Sequence, residues 1–187
     1  MSSKATVESF WDFSVRTYRT HGVADACLSL QNDYGADVNM LLYCCWIGAV
    51  AGRFDDELFA RASDFATQWA EHVVIPLRSA RTWMKHTGCH TEPLPTAVCM
   101  ELRENVKSVE FAAEKLQQEA LASFVPTARA RNESAQQSLE EVAANLQRYA
   151  GFAGIDVVDD VRQKLSIIVD AAFPPWRSED IANALAG

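Results

Sequence analysis

Glycine and proline are scarce in this chain, at eight and six among 187 residues. All-β folds spend such residues on their many turns, so the shortage points to helices. There is no Gly-rich phosphate loop and no G-x-S-x-G turn, which leaves phosphate cradles and serine hydrolases without their usual sequence marks. Basic excess is missing too. Lys plus Arg is 17 against 25 Asp plus Glu, a formal charge of −8. A surface that neutralises phosphates needs the opposite sign, so no direct nucleic-acid contact is expected. No apolar run reaches the roughly 17–25 residues of a membrane span. The longest, Val38 to Gly52, already contains Asn39. The opening residues MSSKATVESFWDFS carry Glu8 and Asp12 and no apolar stretch, unlike a secretory signal. Cysteine occurs five times, at Cys27, Cys44, Cys45, Cys89 and Cys99. An odd count does not suit a secreted disulfide scaffold. The expectation is a reducing, cytoplasmic setting with no intrachain disulfide.

What the chain does have is ordinary globular composition, 49% apolar and 22% charged, so disorder and low complexity are excluded for most of its length. Helical periodicity then divides it. Val7, Phe10, Trp11, Val15 and Tyr18 mark a first helix from Thr6 to Arg19, with Thr6 as its cap and Ser14 on its apolar face. Val23, Ala26, Cys27, Leu30 and Tyr34 mark a second, with Gln31 on its flank and Gly35 as its stop. Residues 38–50, VNMLLYCCWIGAV, are apolar all round and predict a buried central helix capped by Asp37. A strand is the competing assignment, but the run is long for one and holds few β-branched residues. A long segment from Asp55 to His86 keeps helical phase through Leu77, Ala80, Trp83 and Met84, with Pro76 imposing a kink or break just before it. After the linker Thr87–Pro95, a fifth segment spans Thr96 to Phe124. Its apolar stripe is Val98, Leu102, Val106, Val109, Ala113, Leu116, Ala120 and Phe124, with Asn105 inside it. Beyond Pro126 a polar stretch, ARARNESAQQ, leads to two more helices. The last of these is stopped by Pro174–Pro175, and Ser178 is a candidate cap for a short terminal helix. The reading is all-α: a compact bundle around helix 38–50 in residues 1–126, and a helical extension over 127–187.

Five constellations carry the functional question. The acidic doublets in Asp55–Asp56–Glu57 and Asp159–Asp160 resemble the diphosphate-binding boxes of isoprenoid synthases, but no second carboxylate follows one turn on; acidic first turns of two helices suffice. His86, Cys89, His90 and Cys99 offer zinc-ligand chemistry at a spacing that matches no finger, so no metal and no cofactor is expected. No nucleophile comes with a nearby base, and His72 reads as a packing residue, so no catalytic residues are assigned. Arg78, Arg81 and Lys85 form the one local basic stripe. It suits a carboxylate or phosphate ligand, a solvated face near a helix end, or pairing with Glu101, Glu104 or Glu110 of the next segment. Finally, Ser14, Gln31, Asn39 and Asn105 lie on apolar faces, where each needs a hydrogen-bond partner. They either converge on a small pocket or satisfy one another.

The run FWDFSVRTYRTHGVADACLSLQNDYGADVNMLLYCCWIG (Phe10 to Gly48), with VVIPLRSARTWMKH (Val73 to His86) and LRENVKSVEFAAEKLQQEAL (Leu102 to Leu121), resembles a mostly proteobacterial family of short proteins of unknown function. The resemblance covers residues 7–124. It implies a helical, cytosolic protein and supplies no catalytic residues. The functional expectation is a non-enzymatic interaction protein with an unidentified protein partner. The alternative is a binding protein or enzyme for a small anionic molecule, using Arg78, Arg81 and Lys85 with Gln31 and Asn39.

Overall fold

The computed structural model describes residues 8–125, 135–174, 176 and 178–185. Thr6 and Val7, Pro126, most of the polar stretch after it, Pro175 and the side chain of Ser178 lie outside the described residues. The fold is all-α, and no strand occurs among the described residues. The helices are α1 (Phe10–Tyr18), α2 (Val23–Tyr34), α3 (Val38–Val50), α4 (Asp56–Trp69), α5 (Ile75–His86), α6 (Thr96–Ser123), α7 (Ala135–Ala153), α8 (Asp159–Ala172) and α9 (Ser178–Ala184). None of them is long and apolar enough to cross a membrane.

Helix α3 is the hub. Asp37 caps it, accepting from the backbone N–H groups of Asn39 and Met40. Every residue from Asn39 to Gly48 is buried, as the absence of any polar face requires. Its main neighbour is α7, with α1, α2 and α6 completing the surround. The C-terminal helices therefore belong to the same core. Leu139, Val142, Leu146, Val161, Leu165, Ile168 and Ile181 join one continuous apolar cluster with Phe10, Leu30 and Tyr43. Asn145 of α7 fastens the turn after α3. Its Nδ2 donates to Gly52 O at 3.0 Å, and its Oδ1 accepts from Phe54 N at 3.0 Å.

Local punctuation follows physical chemistry. Ser9 caps α1, accepting from Asp12 N. Phe10, Phe13, Ser14 and Thr17 are the buried residues of α1; Trp11 and Val15 are half-buried and Tyr18 is exposed. The buried face is thus turned from the one the apolar pattern marks. Gly35 ends α2 at φ +72°, a left-handed conformation that suits glycine. Before Pro76 the helix widens into a π turn, Ala70–Val74. Proline has no N–H to give the preceding turn, and a wider turn lets the helix continue past it. The expected kink is therefore a π bulge. Helices α5 and α6 then pack side by side, and α5 contains no buried residue. Together they form an arm on the core.

Candidate functional site

At the root of this arm Arg78, Arg81, Glu110 and Glu114 form a cluster of charge. Arg78 Nε donates to Glu110 Oε1 at 2.9 Å and its Nη2 to Glu114 Oε1 at 2.6 Å. Arg81 donates through Nε to Glu110 Oε2 and through Nη2 to Glu110 Oε1 at 3.2 Å. The Glu110 side chain is 7% exposed, and those of Arg78 and Arg81 are 27% and 24% exposed. Burial pushes the Glu110 carboxyl upward, but the hydrogen bonds from Arg81 and Arg78 together outweigh it and hold the group below its ordinary range. Glu114 goes the other way: burial raises its carboxyl by more than Arg78 lowers it.

A chain of amides continues inward from these carboxylates. Gln117 Nε2 donates to Asp37 Oδ2 at 2.8 Å, and Gln117 Oε1 accepts from Asn39 Nδ2 at 2.7 Å. Gln118 Nε2 donates to Asn39 Oδ1 at 2.7 Å. Tyr149 Oη accepts from Asp37 N at 2.7 Å, and Tyr43 Oη donates to Leu121 O at 2.8 Å. Asp37 is half-buried, and desolvation raises its carboxyl despite the donors from Gln117, Asn39 and Met40. The inward face of α6 is thus Glu110, Ala113, Gln117, Gln118 and Leu121. It is a polar clasp with two small apolar contacts. Chemically, the arrangement holds helices together: each guanidinium fork already faces a carboxylate.

The structure places the sequence-marked residues as follows. Arg78 and Arg81 meet Glu110, as one of the three readings of the stripe has it, with Glu114 as a further partner. Glu101 and Glu104 do not join them. Lys85 is exposed and makes no ion pair among the described residues. Asn39 sits in the amide chain, whereas Gln31 is half-buried on α2 and reaches only Asn32, at 3.5 Å. Ser14 Oγ is buried without a partner among the described residues. Asn105 and His72 are exposed, and a His72 ring nitrogen lies 2.9 Å from Gln68 O. Asp55 caps α4 through Leu58 N, and Asp160 accepts from Tyr34 Oη at 2.6 Å, so both doublets open helices.

Two expectations are corrected. Cys89 and Cys99 form a disulfide, with Cα atoms 5.2 Å apart. An odd cysteine total excludes only a fully paired set, and the arm's turn returns Cys99 to Cys89. Bonded sulfurs are not thiolate ligands; among the described residues no His, Cys, Asp or Glu cluster has metal-site geometry. The second correction concerns α6. Most of its expected core stripe faces out: Val98, Leu102, Val109 and Leu116 are 63%, 51%, 54% and 51% exposed. Only Ala113 of that stripe is buried, while Val106, Ala120 and Phe124 are half-buried. The partners of the arginines, Glu110 and Glu114, together with Gln117 and Gln118, occupy the inner positions instead. Their spacing of three and four residues was the available signal.

These features define an α-helical protein whose polar cluster is structural in form. The chain belongs to the family described as a protein of unknown function, DUF2390, which matches residues 9–121, from the start of α1 to the end of the polar clasp. No curated protein matches the chain, and no solved structure does.

Proposed function

We propose that this chain is a non-enzymatic interaction protein of the bacterial cytosol, which docks a partner on the outward flank of α6. The carrying observation is the exposed row Val98, Leu102, Val109 and Leu116. Single exposed apolar residues are common, but a contiguous row along one helix marks a contact surface. The alternative, a small anion held by Arg78, Arg81 and Lys85, needs guanidinium donors that Glu110 and Glu114 already occupy. The cytosolic assignment rests on the odd cysteine count.

The test is affinity purification from the native host, with mass spectrometry of proteins and small molecules. Leu102→Ser with Val109→Ser should lose a protein that the wild type retains. Identical recovery from both would contradict the reading. A small anion retained by the wild type and lost with Arg78→Ala and Arg81→Ala would put the alternative first.

A further inference from the structure

We infer that the occupant of this flank is a second copy of the chain, its α6 antiparallel to the first about a two-fold axis at Ser108. The inference rests on the reading of the flank as a contact surface and names what covers it. From Val98 to Leu116 the exposed positions Val98, Leu102, Asn105, Val109, Ala112 and Leu116 follow one another at spacings of four and three. That is the seam of a two-stranded coiled coil, about 27 Å long at the helical rise. In heptad terms Leu102, Val109 and Leu116 are a positions, and Val98, Asn105 and Ala112 are d positions. The g positions beside the seam are Glu101, Ser108 and Lys115.

An antiparallel pair brings a positions against d positions of the other chain. The layers are Leu102 with the partner's Ala112, Val109 with the partner's Asn105, and Leu116 with the partner's Val98. Large thus meets small at the first layer, and each layer occurs twice by symmetry. In the same register, g positions face each other. Glu101 then meets the partner's Lys115, again twice, with the two Ser108 residues at the axis. The flank is its own charge complement. A parallel pair lacks this match: Glu101 would face the partner's Val106, and Lys115 the partner's Ala120. It would also set two chains of formal charge −8 side by side at one end. Lys115 is free enough to take part. Its side chain is 46% exposed and 3.7 Å from Glu119, with its ammonium 5.2 Å from the Trp11 ring. The inner faces of α5 and α6 stay engaged with each other, so the assembly is a four-helix contact of two arms.

The experiment is sedimentation equilibrium on the full chain, with helical content and melting temperature recorded for each variant. The wild type should dimerise. Glu101→Lys and Lys115→Glu should each raise the dimer Kd about tenfold, because each turns two attractive pairs into two repulsive ones. Together they should restore the Kd to within about twofold. A wild type that is monomeric at about 200 μM overturns the inference, since any self-contact tighter than millimolar would be populated there. Failure of the double variant to recover, with both singles folded, overturns it as well. In either case, proteins still lost from the affinity purification with Leu102→Ser and Val109→Ser would leave the contact-surface reading standing. Failure there too would remove both.

Discussion

Gly48 of α3 and Val142 of α7 are in such close approach that a Cβ on Gly48 would stand 2.8 Å from the Val142 Cα and backbone nitrogen. Glycine inside a helix costs about 1 kcal/mol relative to alanine, so the backbone contact is what this position requires. Gly48→Ala should therefore destabilise, by ~1–3 kcal/mol, although alanine is the better helix former. Denaturant unfolding measures this. A stabilised variant would show that α7 does not lie on α3.

The ion cluster at the root of the arm gives a second expectation. Arg78→Ala with Arg81→Ala leaves the buried Glu110 carboxylate with neither donor. Given the partial exposure of the arginines, the loss should be ~1–3 kcal/mol at neutral pH. It should shrink in acid, where Glu110 takes up a proton. Melting temperatures at neutral and acidic pH check both halves; an unchanged melt at neutral pH would mean that the arginines are solvated.

Glu114 predicts a pH slope of opposite sign. Its carboxyl is raised above the ordinary 4.5, chiefly by burial. As pH rises past that value the unfolded chain releases the proton while the folded protein still holds it. Stability from this group is then lost progressively, until the folded pKa is passed. Glu110, held low, works in the other direction: its contribution is present above the ordinary value and disappears as pH falls through the folded pKa. Glu114→Gln should remove the decline above pH 4.5 and leave the acid-side loss. A variant with the wild-type stability profile would place Glu114 in solvent.

The cysteines separate by environment. Cys27, Cys44 and Cys45 are buried free thiols, and burial pushes Cys27 up to about 12. None should react with a thiol reagent in the native state. Denaturation without reductant should release three thiols, and reduction should release five. Five thiols before reduction would contradict the Cys89–Cys99 bond.

The sequence speaks most clearly where one physical effect acts alone. Residues 38–50 have no polar side except Asn39, so burial on all sides was the one arrangement open to them, and it is what occurs from Asn39 to Gly48. The caps Asp37 and Gly35 and the disturbance before Pro76 were legible because each depends on backbone chemistry within one turn. Helix α6 misled because it carries two stripes. The apolar one, through Leu102, Val109 and Leu116, reads as core by hydrophobicity. The face that packs inward presents Glu110, Gln117 and Gln118. Arg78, Arg81, Asp37 and Asn39 make that polar face the complementary one, and those four come from α5 and the start of α3. The three- and four-residue spacing of the polar face shows in the sequence, but partners 29 to 80 positions away, which make that face the inner one, do not.

The central claim is that α6 turns its apolar row outward and its polar row inward. The most direct measurement is the unfolding free energy of Leu102→Ser with Val109→Ser, taken at about 1 μM protein so that association does not contribute. Both positions are more than half exposed, so the account predicts a change within ~0.5 kcal/mol of wild type. A loss of several kcal/mol, as truncation of buried Leu and Val produces, would place the row in the core and contradict it.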